Sequence, residues 1–169
     1  MRSRPVYLPD HEVTLERLTA AHADAVLTFE RENRAYFAAS IQDRGDAYFE
    51  EFEVRHAALL AEQEAGLCQF HVLVDDAGAV VGRVNLVDIE NGCAELGYRI
   101  AEKSAGTGLA SAAVRAIVGL ARSEYGLSTL RAGTSKANLA SQAVLTRAGF
   151  RRVSAEDANP SYELMLEDA

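Results

Sequence analysis

The chain has 169 residues, of which 49% are hydrophobic and 25% are charged, with a formal net charge of -8. This size and composition predict one compact domain over residues 1–169 that needs no metal or disulfide to fold. The acidic charge argues against a nucleic-acid partner, because such proteins neutralise phosphates with a basic surface. It is compatible with a basic peptide or amine substrate, and it can equally serve only solubility.

The cysteine content and the termini indicate where the protein works. Cys68 and Cys93 form neither a Cys-x-x-Cys pair nor a ligand set with the four histidines, so we expect no metal site and a reducing compartment. Residues 1–8 are too short and too polar for a signal peptide, and no apolar run reaches the length of a membrane span. We therefore expect a cytoplasmic protein without a membrane partner, acting as a monomer or a homodimer.

The first third of the chain is predicted to form one strand and two helices. Apolar and polar residues alternate over residues 13–18, as in a half-buried strand, and Thr19 is a candidate helix N-cap. One helix is expected over residues 20–38. Gly45 interrupts the chain, and a second amphipathic helix follows that is expected to end near Gly66.

The middle of the chain changes to the two-residue period of strands. Two strands are predicted over residues 69–74 and 79–89, joined by a short turn. The Asn-Gly pair at residues 91–92 is a second turn signal, because both residues tolerate a positive φ. A third strand is expected over residues 94–101, so the three strands should form an antiparallel meander.

The strongest helical pattern follows this meander. Apolar residues recur with helical spacing over residues 109–121 and form one continuous face, and Gly126 closes the helix. The remaining predicted elements are a strand over residues 129–134, a helix from the N-cap Asn138 to Gly149, and strands over residues 150–153 and 162–166. This order predicts an α+β, or mixed α/β, fold with one mostly antiparallel sheet of about six or seven strands and four helices.

A glycine-containing turn lies between the meander and the long helix. Its sequence, with the start of the helix, is Ala105-Gly106-Thr107-Gly108-Leu109-Ala110-Ser111. Two alternate glycines allow a sharp turn and a close approach of the backbone to a ligand. The first amides of the helix lack intrahelical partners, and the helix dipole favours negative charge there. The segment therefore fits a phosphate or diphosphate site, although a plain tight turn would use the same glycines.

Two common phosphate-binding motifs do not fit this turn. A Walker loop requires Gly-Lys followed by Ser or Thr, and no such tripeptide is present. A Rossmann fingerprint requires a third Gly or Ala where Ser111 stands. It also requires an acidic residue at the end of the next strand, and residues 129–134 contain none.

The turn resembles motif A of the GNAT superfamily of N-acetyltransferases, written Q/R-x-x-G-x-G/A. Gly106 and Gly108 occupy the two small-residue positions, whereas the leading Gln or Arg is not matched. A later segment resembles motif B, in which N-x-x-S/A precedes a Gly-Phe pair. Here Asn138 and Ser141 precede the Gly-Phe pair at residues 149–150. The order of the elements also agrees, so the resemblance covers nearly the whole chain.

Within the superfamily, the chain is most similar to the Rim-type branch, which acetylates protein N-termini, notably those of ribosomal proteins. The similarity rests on Glu-Leu-Gly-Tyr at residues 95–98, on Ser141, and on Glu-Asn-Arg at residues 32–34 in the first of two amphipathic helices. It implies acetyl-CoA as the acetyl donor, no metal, and an amine-bearing peptide or small molecule as the acceptor.

The resemblance also implies which residues hold the cofactor. The backbone of residues 99–101 should bind the pantetheine arm, which requires that strand to splay from residues 129–134. The amides of residues 106–111 should hold the diphosphate, and Asn138 should approach the pantetheine from the other side. The implied cofactor-binding residues are Arg99, Ile100, Ala101, Gly106, Thr107, Gly108, Leu109, Ala110, Ser111 and Asn138.

Attack of an amine on a thioester requires a base, a donor for the oxyanion and help for the departing thiolate. Many members of the family carry a Tyr in motif B for the last role, but the matching residue here is Leu145. Ser141, one helical turn earlier, is the candidate donor to the sulfur, with a capping serine as the alternative. Glu95 is the candidate base or else an exposed strand residue, and His71 is a rival base or else a packed core histidine.

Two functions remain open from the sequence. One is an enzyme that acetylates an α-amino group or a small amine, and the other is a non-catalytic acyl-CoA-binding module. The unmatched Gln or Arg and the missing Tyr favour the module slightly, whereas the acidic and hydroxyl candidate residues favour the enzyme. The early charged residues Glu30, Glu32 and Arg34 either line the acceptor side of the site or form a solvated helix face.

Overall fold

The structure, a computed structural model, describes residues 3–166. Its strands are β1 (Val6–Leu8), β2 (Val13–Arg17), β3 (Gln69–Asp75), β4 (Val80–Glu90), β5 (Cys93–Ile100), β6 (Thr129–Gly133), β7 (Arg151–Arg152) and β8 (Ser161–Met165). Its α-helices are α1 (Ala23–Glu32), α2 (Arg34–Ala38), α3 (Asp46–Glu50), α4 (Phe52–Glu64), α5 (Leu109–Ser123) and α6 (Leu139–Arg147). Short 3₁₀ turns precede α1 at Ala20–His22 and follow β5 at Glu102–Ser104.

Over residues 3–166, the strands form one eight-stranded sheet in the order β1-β2-β3-β4-β5-β6-β8-β7. Every neighbouring pair is antiparallel except β5 and β6, which are parallel. Helix α5 makes the crossover that a parallel pair requires. The predicted mixed α/β fold around a mostly antiparallel sheet is therefore confirmed, including the meander of β3, β4 and β5.

The structure has more helices than the four predicted, because both early helices are divided. The helix predicted over residues 20–38 is interrupted at Asn33, whose side-chain Nδ2 donates to the carbonyl oxygen of Phe29 at 2.9 Å. Such side-chain bonds compete with the helical backbone pattern. The helix predicted to end near Gly66 is divided into α3 and α4 at Glu51. The sheet also gains β1, whose three residues are too few to reveal a period.

Helices cover both faces of the sheet, and each face has its own buried core. Helices α5 and α6 pack on one face, here called the α5 face. Helices α1 to α4 pack on the other, here called the α1 face. Side chains alternate along β5, so Leu96 and Tyr98 pack on the α5 face while Glu95, Gly97 and Arg99 belong to the α1 face.

Helix α5 buries nearly the stripe that its apolar spacing predicts. Its buried residues are Leu109, Ala113, Val114, Ile117, Leu120 and Ala121. Ala112 and Ala116, predicted on this stripe, are only half-buried, whereas Val114 is buried. Packing thus places the larger valine against the sheet, where it removes more apolar surface from water than alanine would. None of the helices within residues 3–166 has the length and apolar character that crossing a membrane requires.

Candidate active site

Strands β5 and β6 separate along their length. Their registered pairs are Cys93 with Thr129, Ala94 with Leu130 and Glu95 with Arg131. Beyond Glu95, the described chain contains no further pair between these strands, although β5 stays paired with β4 as far as Ile100. The second half of β5 therefore has a free edge toward the gap that opens between β5 and β6. This splay is what the family resemblance requires. Main-chain groups alternate in direction along a strand, so those of Ile100 face the gap and are open to an added chain, while those of Arg99 face β4.

Ala101, which the sequence groups with Arg99 and Ile100, has its main-chain groups bonded at the end of β5. Its NH donates to the carbonyl oxygen of Val81 at 2.9 Å, and its own carbonyl oxygen accepts from the NH of Ser104 at 2.9 Å. The residue is also 2% exposed. Its main-chain NH is therefore already used, and Ala101 is better placed to end β5 than to hold a ligand.

The glycine turn leads directly into α5. Gly106 and Gly108 have φ values of 74° and 87°, a region that glycine adopts without steric cost, and Gly108 is the N-cap of the helix. Throughout the described chain, the main-chain NH groups of residues 106–111 find no hydrogen-bond acceptor. The Thr107 hydroxyl donates to the carbonyl oxygen of Ser104 at 2.6 Å, which fastens the turn. The result is a run of free donors at the positive end of a 15-residue helix.

His11 lies beside this run of donors, and the sequence analysis did not identify it. A Cβ atom placed on Gly108 would lie 3.8 Å from Cε1 of the His11 ring. His11 follows β1 in the turn to β2, where its NH donates to the carbonyl oxygen of Leu8 at 3.1 Å. No local signal could reveal this neighbour, because the contact joins residues almost one hundred positions apart.

Motif B forms the start of α6, on the far side of the gap. Asn138 is the N-cap, and its side-chain Oδ1 accepts from the NH of Ser141 at 3.0 Å. The hydroxyl of Tyr98, on β5, donates to the Ser141 Oγ at 3.1 Å. Because Ser141 accepts this bond, its own hydroxyl proton remains available for a ligand. Burial raises the pKa of Tyr98, which keeps the phenol protonated as the donor.

Leu145 occupies the motif B position at which many members of the family carry a tyrosine. It is 1% exposed and lies in the core between α6 and the sheet. The hydroxyl groups that do approach the gap are those of Ser141 and Tyr98, supplied from α6 and β5.

Glu95 sits at the last registered pair between β5 and β6, where the gap begins. Its side chain is exposed and belongs to the α1 face, whereas Ser141 contacts the α5 face of the same strand through Tyr98. The two candidate catalytic residues therefore approach the edge of β5 from opposite sides. The burial that would favour Glu95 as a base is absent.

His71 is a core residue. It is 1% exposed, and its Nε2 lies 2.6 Å from the hydroxyl of Tyr125, which packs on the α5 face. Burial, and then the charge of Arg17, lower the pKa of His71 to about 3. The interpretation of His71 as a packed histidine is therefore supported, and its role as a rival base is not.

Glu30 is the centre of an ion-pair network on the α1 face. We call Glu30 together with Arg44, Arg83 and Arg99 the arginine cluster. Glu30 is 1% exposed and accepts from Arg83 at 2.8 Å, from Arg44 at 2.9 Å and from Arg99 at 3.1 Å. Burial raises the pKa of Glu30, but hydrogen bonds and charges from Arg44 and Arg83 outweigh it and hold the pKa below its usual value. Glu30 therefore stays ionised, and the solvated-face interpretation is wrong for this residue.

The arginine cluster carries more positive than negative charge. Burial, followed by repulsion from Arg44, lowers the pKa of Arg99, although Glu30 opposes the shift. The guanidinium groups of Arg99 and Arg44 also lie over the rings of Phe37 and Tyr48, at 4.7 Å and 4.8 Å from the ring centroids. Aromatic faces of this kind stabilise a cation that has too few anionic partners.

The other two charged residues of the early helices behave differently. Glu32 is exposed, as expected for a solvated helix face. Arg34 donates to Asp43 and to Asp46, each at 2.8 Å, so its charge is matched locally. A hydrogen bond from Arg34, and then one from the NH of Gly45, lower the pKa of Asp43 to about 2.

Asn33 connects the helices of the α1 face with the turn that leads to the glycines before α5. Its Nδ2 donates to Phe29 and interrupts the helix, while its Oδ1 accepts from the NH of Glu102 at 2.9 Å. Glu102 begins the turn that leads to Gly106. A buried side chain at the junction of α1 and α2 therefore positions the glycine turn. Within residues 3–166, no three or more His, Cys, Asp and Glu side chains are grouped so that they could hold a metal ion.

Comparison with known proteins places this geometry in a family. The model for the acetyltransferase (GNAT) domain matches residues 12–151. The Bacillus subtilis (strain 168) protein named Probable N-acetyltransferase YjcK is 26% identical over 175 residues, which span 99% of this chain and 92% of that protein.

Solved structures share the fold at lower identity. The ribosomal-protein-S5-alanine acetyltransferase from Vibrio fischeri has a TM-score of 0.89 and 18% identity, covering 98% of each chain. RimJ of Mycobacterium smegmatis, in complex with CoA-disulfide, has a TM-score of 0.84 and 20% identity, covering 98% of this chain and 87% of that one. A spermidine N-acetyltransferase chimera from Vibrio cholerae and hSSAT has a TM-score of 0.76 and 15% identity, covering 93% and 97%. Because the family model matches most of its length, the chain belongs to the GNAT family and is an acetyltransferase.

Proposed function

We propose that this enzyme transfers the acetyl group of acetyl-CoA to the α-amino group of a protein N-terminus, such as that of a ribosomal protein. The observation that carries the proposal is the free main-chain NH run of residues 106–111, next to the free edge of β5. Unpaired amides at a helix N-terminus suit a diphosphate, and a free strand edge suits the amide groups of pantetheine. The residues therefore fit coenzyme A, and bound acetyl-CoA supplies the thioester.

The two sides of the gap have separate roles in this proposal. The Ser141 hydroxyl, held by Tyr98, donates a hydrogen bond to the thiolate as it departs. Glu95 is exposed but lies where the gap begins, and from the α1 face it takes the proton of the attacking amine, directly or through water. Asn138 holds the first turn of α6 and thereby the position of Ser141.

The acceptor is proposed from the neighbours in the fold. Two of them are named for ribosomal proteins or for RimJ, and their TM-scores exceed that of the spermidine enzyme chimera. A small-molecule amine is the second candidate, because spermidine N-acetyltransferases also share the fold. A ribosomal acceptor also implies that the enzyme works in the cytoplasm.

The test is release of free coenzyme A thiol from acetyl-CoA in the presence of N-terminal peptides, with mass spectrometry to locate the acetyl group. We expect a mass increase on the α-amino group, and none on the same peptides with a formylated N-terminus. Spermidine serves as the competing acceptor. Turnover of spermidine with no turnover of any peptide would contradict the proposed acceptor.

A further inference from the structure

The arginine cluster has guanidinium donors that no protein group uses. Arg44 binds Glu30 through Nε and Arg99 binds it through Nη1, and their remaining nitrogens have no hydrogen-bond acceptor in the part of the chain that the structure describes. The two side chains are 29% and 19% exposed. Three arginines therefore surround one carboxylate, and two of them present unused donors to solvent.

The α1 face of β5 is open between this cluster and the gap. Gly97 lies between Glu95 and Arg99 on the same face, and a Cβ atom placed on it would meet nothing within 4 Å. Its registered partner on β4 is Asn85, whose Oδ1 is buried and has no hydrogen-bond partner in the described residues. A buried carbonyl oxygen without a donor is costly unless a ligand supplies one.

These features form a continuous path along one face of the sheet. Residues two apart in a strand lie ~7 Å apart, and residues four apart lie ~13 Å apart. The path thus begins at Glu95, passes the unpartnered oxygen of Asn85 beside Gly97, and ends at the unused donors of Arg99 and Arg44. A substrate amine on this path would lie beside the Glu95 carboxylate, which accepts hydrogen bonds. The other end of the substrate would meet the positive charge of the arginines.

We propose that the arginine cluster is an acceptor subsite that binds a carboxylate, so that the enzyme prefers N-terminal peptides with Asp or Glu at the second or third position. The side-chain carboxylate of these positions lies roughly 7–10 Å from the terminal amine in an extended peptide, within the span of the path. In a free amino acid, the carboxylate lies too close to the amine for the two groups to reach Glu95 and the arginine cluster at the same time. This inference rests on the proposed function and names the substrate class within it.

The local charge decides against a polyamine at this subsite. Glu30 is the acidic residue at its centre, and it is already matched by Arg44, Arg83 and Arg99. Asp43 lines the same pocket, and Arg34 matches its charge. An added cation would meet uncompensated guanidinium groups at short range. The net charge of -8 acts in the opposite direction, because it repels an acidic peptide at long range. A preference for acidic peptides would therefore have to come from the cluster.

The first experiment uses the wild-type enzyme and three peptides that differ only at positions two and three, with Glu, Gln or Lys at both. We expect a KM about threefold to fivefold lower for the Glu peptide than for the Gln peptide, the effect of one partly exposed ion pair. The Lys peptide should have the highest KM. Equal KM values, or a preference for Lys, would overturn the subsite.

The second experiment removes one unused donor. Arg44→Gln should raise the KM of the Glu peptide and thereby reduce the KM ratio between the Gln and Glu peptides to about twofold. Arg55→Gln is the matched control, because Arg55 is 48% exposed and pairs with Glu51 at 3.8 Å, away from the cluster. The control should keep the full ratio. A ratio that Arg44→Gln leaves unchanged would overturn the role of the cluster.

The outcome also separates this inference from the proposed function. If no peptide is acetylated, the proposed acceptor fails, and calorimetric binding of the Glu and Gln peptides still decides whether the cluster selects a carboxylate. If all peptides are acetylated with one KM, the function stands and the subsite is wrong. In the first case, tighter calorimetric binding of the Glu peptide would support the subsite, and equal binding of the two peptides would overturn it.

Discussion

The glycine turn before α5 and the arginine cluster on the α1 face are built in opposite ways. The turn offers main-chain NH groups from six consecutive residues, 106–111, and its shape depends on two glycines within it. The cluster offers side-chain guanidinium groups from Arg44, Arg83 and Arg99, gathered on Glu30 from three distant parts of the chain. Recognition by the backbone is therefore encoded locally, whereas recognition by charge depends on the completed fold.

The two regions also differ in the kind of ligand group that each can bind. Main-chain donors at a helix end suit a phosphate group and do not depend on the rest of the ligand. Buried side-chain charges respond to the sign and position of one group on the acceptor. The cofactor binding proposed for the turn and the acceptor preference proposed for the cluster therefore depend on different residues.

The largest expected effect is in the turn. Gly108→Glu should weaken acetyl-CoA binding about 1,000-fold (~4 kcal/mol), because the side chain and its charge displace two or more charged hydrogen bonds. Calorimetry measures the change. Gly78→Glu is the matched control, because Gly78 has a φ of 85° in an exposed hairpin turn and carries the same strain and charge. Unchanged affinity in Gly108→Glu would place the cofactor elsewhere.

The next effect tests the cluster as a structural unit. Glu30→Gln should lower the free energy of unfolding by about 3 kcal/mol, because it leaves buried arginines without their counter-charge. Urea unfolding measures the loss. Glu32→Gln, on the exposed side of the same helix, should change the free energy by less than about 0.5 kcal/mol. Similar values for the two variants would contradict the network.

The third effect concerns the gap between the two regions. Ser141→Ala should reduce kcat about 10- to 100-fold and leave the Kd for acetyl-CoA within about twofold, because the hydroxyl acts on the departing thiolate. Ser123→Ala is the control, since that hydroxyl donates to the carbonyl oxygen of Gly119 on the exposed side of α5. Equal turnover in Ser141→Ala and the wild type would remove Ser141 from the mechanism.

The effect that is smallest at neutral pH lies outside both regions and grows only as the pH falls. The pKa of His71 is lowered by burial to about 3, so below pH 6.5 the unfolded chain binds a proton that the folded chain does not. Stability should therefore fall with pH between about 6.5 and 3, by up to about 1.4 kcal/mol per pH unit from this residue. His71→Gln should remove that part of the slope in urea unfolding at a series of pH values. If the free energy of unfolding depended on pH in the same way in the wild type and in His71→Gln, the lowered pKa of His71 would be contradicted.

The sequence predicted most elements of the fold because their signals are local. The meander of β3 to β5 and the helix α5 were identified from periods of two and of 3.6 residues, and Asn138 was identified as the cap of α6. The divisions at Asn33 and Glu51 were missed, because a long helical pattern contains no mark of where packing will interrupt it. Asn33 breaks its helix to bind Glu102, a partner 69 residues away.

The candidate site was predictable only in part for the same reason. The free donors of the turn follow from two glycines and a helix start, which stand together in the sequence. By itself, the sequence thus determined the main-chain frame of the cofactor site. Only the tertiary structure decided that Glu30 is buried among arginines, that His71 is packed in the core, that Tyr98 holds Ser141, and that His11 lies beside Gly108. Contacts between distant residues depend on how strands and helices pack, and no local pattern specifies them.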